Sequence, residues 1–136
     1  RYPLSMDVIR KLDYPPLVGQ GHENDYYAIH QAEWGKDVSL SSDFTLHKIK
    51  GDFTSYQFEK GYDIIYFDAF APEKQPEMWE QSLFDSLYGV LNDGGILTTY
   101  CAKGVVRRML QAAGFVVERL PGPPGGKREI LRATKR

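Results

Sequence analysis

The stretch Ile64-Ile65-Tyr66-Phe67, closed by Asp68 and then by Ala-Phe-Ala-Pro, constrains this chain more than any other. Two β-branched residues and two aromatics follow one another with no polar residue between them. That is the pattern of a strand buried on both faces of a parallel sheet. Pro72 and Pro76 cannot continue a strand, so the chain must leave the sheet just after Asp68. Ligands of open α/β sheets bind beyond the carboxyl ends of the strands, which makes Asp68 the first candidate functional residue.

Other segments fill in the layers. Phe44, Leu46 and Ile49 suggest a strand ending at Lys50, which would put Asp52 directly after a strand, as Asp68 is. A plain turn role for Gly51-Asp52 is an equal alternative. Met78, Leu83, Phe84, Leu87 and Leu91 have the spacing of an amphipathic helix over roughly 77–91. Asn92 to Gly95 then turn into a second buried strand, Ile96 to Cys101. Gly104 opens a helix carrying Val105, Val106, Met109 and Leu110, which stops at Gly114. Phe115–Leu120 and Arg128–Ala133 read as strands joined by a Pro/Gly loop, and strands joined without a helix pair antiparallel. The expected fold class is α/β, a mostly parallel sheet with an antiparallel C-terminal hairpin.

The first forty residues carry less. Pro3, Ser5 and Asp7 mark a helix start, Met6, Ile9 and Leu12 give it helical spacing, and Tyr14-Pro15-Pro16 ends it. Residues 24–34 form a second short helix. His22, His30 and Glu33 lack a further donor at defined spacing, so no metal is expected.

The 136 residues suit one domain with one hydrophobic core. The lone Cys101 excludes an internal disulfide and fits a reducing, cytoplasmic setting. No apolar run reaches transmembrane length, so no membrane partner is expected. The net charge of −1 hides a split. Residues 1–102 hold 8 Lys/Arg against 16 Asp/Glu, net −8, and residues 103–136 hold 9 against 2, net +7. A basic C-terminal part points to an anionic partner, with nucleic acid foremost and a solvated face as the alternative.

Particular motifs narrow the class. Asp68-Ala69-Phe70-Ala71-Pro72, with Lys74-Gln75-Pro76-Glu77-Met78-Trp79 behind it, is similar to a D-x-F-A-P-x-K-x-P-x-M-W signature. Four further blocks agree with it in order: Gly94 to Tyr100, Gly104 to Arg108, Ala113-Gly114-Phe115 and Gly126 to Glu129. Together they resemble the S-adenosylmethionine-dependent, Rossmann-like MnmC methyltransferases of the tRNA 5-methylaminomethyl-uridine biosynthesis family. The resemblance covers residues 44–133, and residues 1–43 match loosely. It implies methyl transfer from S-adenosylmethionine to the amine of a 5-aminomethyl group on the wobble uridine of tRNA. It further implies Asp68 beside the sulfonium and the incoming amine, as the catalytic residue, and Asp52, Phe53, Asp68 and Ala69 around the cofactor. Phe70 and Pro72 would wall the base pocket, and Lys103, Arg107, Arg108, Lys127 and Arg128 would meet tRNA phosphates. For Trp79, core packing is the better reading.

The chain also departs from the family. A glycine-rich turn after a first strand and an acid after a second would bind the rest of the cofactor, and neither is present. Gly19-Gln20-Gly21 follows two prolines rather than a buried strand and is rejected as that turn. The chain therefore reads as a partial methyltransferase domain, residues 1–136, lacking its first two strands. A related enzyme acting on another amine, or a cofactor-free fragment binding tRNA or a partner, are the competing readings.

Overall fold

The computed structural model describes residues 3–126 and 129–136. The chain divides into two compact units, Arg1–Asp52 and Phe53–Arg136.

In the first unit, helix α1 (Met6–Leu12) starts at Ser5, whose hydroxyl accepts the Val8 N–H at 3.5 Å. Pro15 and Pro16 end α1 as expected but also open a short helix α2 (Pro15–Val18), because proline's fixed φ suits a first turn. Helix α3 (Glu23–Gln31) packs on α1, where Tyr26 donates to the Ile9 carbonyl at 3.1 Å and Ile9 is buried. Gly19-Gln20-Gly21 joins two helices, so it is not a strand-to-helix turn.

The expected strand over 44–50 is corrected. Only Thr45–His47 (β2) is extended, and it pairs antiparallel with Asp37–Ser39 (β1) in a separate two-stranded sheet. The turn between them decides this. The N–H groups of Leu40 and Ser41 both donate to the Phe44 carbonyl, at 2.9 and 3.3 Å, folding the segment back on itself. A cross-strand contact of 2.6 Å between His47 Nδ1 and Asp37 Oδ1 holds the pair.

The second unit is built on a mixed four-stranded sheet of order β3-β4-β6-β5. Its strands are β3 (Tyr62–Tyr66), β4 (Leu91–Thr99), β5 (Val116–Pro121) and β6 (Glu129–Thr134). β3 and β4 are parallel, while β6 lies antiparallel between β4 and β5. The C-terminal hairpin is thus inserted with its last strand inward. The helix expected over 77–91 is divided: a 3-10 turn spans Pro76–Trp79, Glu80 is extended, and α4 runs Gln81–Val90. β4 begins at Leu91, and the turn expected at Asn92–Gly95 survives as an irregularity within it: Tyr62 pairs with Leu91 and Ile64 with Ile96, so one residue of β3 faces four of β4, and Gly94 takes a φ of 80°.

Helix α5 (Gly104–Ala112) lies beside α4 and β5. It ends at Gly114, whose φ of 111° is open to glycine at little cost and whose missing side chain leaves room for the Tyr88 ring. Phe84, Leu87, Leu97, Val106, Leu110 and Leu131 are fully buried between these helices and the sheet. One expectation about this core is corrected. β3 does not read as buried on both faces, since Tyr62, Ile64 and Tyr66 are 38, 53 and 79% exposed. These three residues alternate along the strand and share one face, opposite the face that carries Ile65 and Phe67 into the core, and β3 also lies at the edge of this sheet.

Candidate active site

The site begins where β3 stops. The Phe67 N–H continues the ladder by donating to the Thr98 carbonyl at 2.8 Å, and Asp68 follows directly, its carboxylate exposed. Phe67 points the other way, into the core, 3% exposed. Its ring meets Trp79 edge-on at 5.2 Å and Phe84 at 5.6 Å. Such aromatic packing is directional and fixes the backbone that carries Asp68. Phe53 stands 6.1 Å from Phe67 and 4.8 Å from Phe58, so the loop opening this unit reaches the same strand end.

A depression of 270 Å³ lies at the carboxyl ends of β3 and β4 and beside β6. Asp68, Tyr66, Thr98, Tyr100 and Ile130 are among the residues lining it. The register explains who meets whom. Tyr66 is opposite Thr98, so two residues further along each strand Asp68 comes beside Tyr100. Burial raises the pKa of the Tyr100 phenol above its ordinary 10.0, and neighbouring Cys101 and Asp68 add to the shift. The hydroxyl stays protonated and donates to the Ala69 carbonyl at 2.7 Å.

After Asp68 the chain bends. Lys74 and Gln75 both donate backbone N–H groups to the Ala71 carbonyl, at 2.7 and 3.0 Å. Trp79 is 5% exposed, as core packing requires, yet its indole N–H donates to the Phe70 carbonyl at 2.8 Å. The Phe70 N–H donates to Gln75 Oε1 at 3.3 Å. The Phe70 ring itself is 76% exposed, and Pro72 is half-buried. Asp68, Ala69, Phe70 and Pro72 are therefore consecutive parts of one anchored loop at the sheet's carboxyl edge. The contacts of Tyr100, Gln75 and the Trp79 N–H are not readable from sequence, because each is made to a backbone carbonyl or N–H rather than through a pattern.

The basic residues divide. Lys103 stands at the residue before α5, makes no side-chain capping bond, and forms an ion pair with Glu73 of the loop after β3. Arg119 pairs with Glu129 at 3.2 Å, Arg132 takes Glu118 in a two-pronged contact, and Lys135 donates to the Leu91 carbonyl at 2.7 Å. Arg107 and Arg108 are exposed on α5 with no ion-pair partner among the described residues. Lys127 and Arg128 lie outside the described residues. Asp52 closes the first unit, half-buried. Among the described residues no group of three or more His, Cys, Asp or Glu is placed to hold a metal ion, and no helix is long and apolar enough to cross a membrane.

Fold and site together define an α/β protein with a mixed sheet, its candidate site lying at the carboxyl ends of the parallel β3–β4 pair. More particularly, a family model described as S-adenosyl-L-methionine-dependent methyltransferase matches residues 26–136, and the chain belongs to that family. Two curated relatives carry the name tRNA 5-methylaminomethyl-2-thiouridine biosynthesis bifunctional protein MnmC. The one from Pseudomonas syringae pv. syringae (strain B728a) is 36% identical over 98% of this chain and 21% of its own length. The one from Pseudomonas fluorescens (strain Pf0-1) is 40% identical over 79% of this chain and 16% of its length. The chain thus spans about a fifth of the length of the relatives it matches. The crystal structure of MnmC2 from Aquifex aeolicus shares the fold, with a TM-score of 0.67 at 21% identity, over 85% of this chain and 38% of the other.

Proposed function

We propose that this chain is the catalytic part of a methyltransferase domain that methylates the amine of 5-aminomethyl-uridine at the tRNA wobble position. The observation that carries the reading is Asp68, held at the carboxyl end of the β3–β4 pair by the Phe67–Trp79–Phe84 packing, with the exposed Phe70 ring two residues away. The names of the MnmC relatives support the substrate class.

The donor set suits one end of the family's cofactor. A carboxylate suits the sulfonium, and we assign Phe53 and Ala69 to the apolar contacts that an adenine ring needs. Asp52 is proposed to accept the exocyclic adenine N–H. Among the described residues there is no glycine-rich strand-to-helix turn for the methionine end. S-adenosyl-L-methionine supplies an electrophilic methyl group when bound. Asp68 accepts a hydrogen bond from the substrate amine, orients its lone pair, and offsets the positive charge that grows on nitrogen as it attacks. Phe70 and Pro72 flank the base taken out of its stack, since exposed aromatic faces stack on bases. Lys103, Arg107 and Arg108 meet tRNA phosphates, Lys103 by exchanging its Glu73 contact, and we assign Lys127 and Arg128 the same role. Such a substrate places the protein in the cytoplasm.

We further propose that the domain is partial. The open edge of β3 asks for a neighbouring strand, and the exposed Ile64 and Tyr66 on one face ask for the covering layer that such a segment would bring, because parallel strands are covered on both faces and bare edges invite aggregation. The missing strands would bring the cofactor turn.

The test is to incubate the protein carrying this chain with methyl-labelled S-adenosylmethionine and tRNA bearing 5-aminomethyl-uridine. Label in 5-methylaminomethyl-uridine is the expected result. Label only in another amine, or none in any tRNA, would overturn the reading.

A further inference from the structure

The loop after β3 has an unusual arrangement of hydrogen bonds. Strand pairing ends with Phe67, and the local turn begins only at the Ala71 carbonyl. The backbone between them, Asp68 to Phe70, is held by side chains. Tyr100 donates to the Ala69 carbonyl from the end of β4, 31 residues on. Trp79 donates to the Phe70 carbonyl from the 3-10 turn, and Gln75 accepts the Phe70 N–H. Two of these groups are themselves fixed. The Trp79 indole is locked edge-on against Phe67, and Tyr100 follows directly on a strand whose register with β3 is set by three consecutive residue pairs.

From this we propose that Tyr100, Trp79 and Gln75 are positioning residues, a three-point clamp on the backbone of Ala69 and Phe70 that sets where Asp68 stands at the depression and where the Phe70 ring is presented. The role rests on the methyl-transfer reading given above. The exposure of the Phe70 ring, 76%, is otherwise costly for a phenylalanine and is not explained by a slack loop, because its backbone is bonded at both N–H and carbonyl. An exposed ring on a pinned backbone is a presented surface. Precision there matters: displacing reacting groups by about 1 Å can cost on the order of a hundredfold in rate.

Tyr100→Phe removes one donor and keeps the ring. Gln75→Leu removes the acceptor, and Gln75→Glu restores one. Each variant is made in the full protein carrying this chain and read in two ways. Hydrogen exchange of the peptide spanning 68–75 should speed up by roughly tenfold or more in Tyr100→Phe and Gln75→Leu, with no change in the peptide spanning 83–90, which reports the core. In methyl transfer, kcat should fall by roughly tenfold to a hundredfold while KM for tRNA and cofactor holds, and Gln75→Glu should recover most of the loss. Unchanged exchange in 68–75 would overturn the clamp. Faster exchange with unchanged kcat would overturn its role in the reaction. If the parent transfers no methyl group, the functional reading falls and exchange alone judges the clamp.

Discussion

Phe84 carries the packing beneath the site, and Phe84→Ala is the substitution that measures it. The side chain is 0% exposed, 5.6 Å from the Phe67 ring and 6.3 Å from Trp79. Truncating a fully buried phenylalanine costs about 3–5 kcal/mol, from the forfeited transfer energy plus the cavity left behind. The two ring contacts, about 0.5–1.5 kcal/mol each, are part of that figure rather than an addition to it. Against a whole-domain stability of roughly 5–15 kcal/mol the loss is large. For a unit of this size it corresponds to a fall in Tm of more than about 12 °C, at roughly 4–8 °C per kcal/mol. Phe84→Leu keeps most of the volume but loses both ring contacts and should cost less than Phe84→Ala, about 1–3 kcal/mol. The control is Phe70→Ala, on a ring 76% exposed, which should stay within about 0.5 kcal/mol. Urea titration followed by far-UV circular dichroism reads all three from their midpoints, provided the slope is unchanged. A loss below about 1 kcal/mol in Phe84→Ala, or one equal to that of Phe70→Ala, would contradict the packing described.

Changing Arg107 and Arg108 together to Ala should weaken tRNA binding and leave cofactor binding unaltered. The slope of log affinity against log salt should fall by roughly 0.7–0.9 for each phosphate that is no longer neutralised, and an identical slope would make these two arginines a solvated face. Ile64→Ala should cost about 1 kcal/mol or less in this chain, where the side chain is 53% exposed, and about 2–5 kcal/mol in a longer polypeptide that supplies the covering layer. Equal losses in the two would remove the case for a covering layer. The raised pKa of Tyr100 has a definite sign. The folded state favours the neutral phenol, so the stability it contributes is complete below pH 10.0 and is lost as pH rises through the higher folded value. Urea titrations at about pH 9 and about pH 11 should show a steeper loss in the parent than in Tyr100→Phe, and matching losses would mean the shift is absent.

Legibility in the sequence followed the range of the forces involved. Ser5 ahead of Met6, Ile9 and Leu12 announced α1 because capping and helical spacing are local. The same holds for α5, where Val106 and Leu110 share the buried face. The Ile64–Phe67 run announced a strand, but its lack of polar alternation describes a strand covered on both faces, whereas β3 leaves Tyr62, Ile64 and Tyr66 exposed. Leu46 and Ile49 suggested a longer strand. The turn through Ser41, Ser42 and Asp43 folds that segment into a small hairpin instead, a signal the turn-forming residues did offer. Asp68 stood out because the prolines behind it force the chain out of the sheet. Tyr100 did not, since its bond to Ala69 crosses 31 residues and follows from strand register. The charge split overstated the free basic surface, because Arg119, Arg132 and Lys135 are committed within the chain.

The single most informative measurement is the rate of methyl transfer by Asp68→Ala in the full protein, under single turnover with both cofactor and aminomethylated tRNA saturating. Saturation removes any contribution of Asp68 to binding, so the rate reports the transfer step alone. The side chain is exposed at a strand end and contributes little to the core, so the variant should fold with an unchanged circular dichroism spectrum. A rate lower by roughly two or more orders of magnitude is expected, the scale of a missing acid–base or electrostatic group. A folded variant that transfers methyl groups at the parent's rate would contradict the assignment of the chemistry to the end of β3.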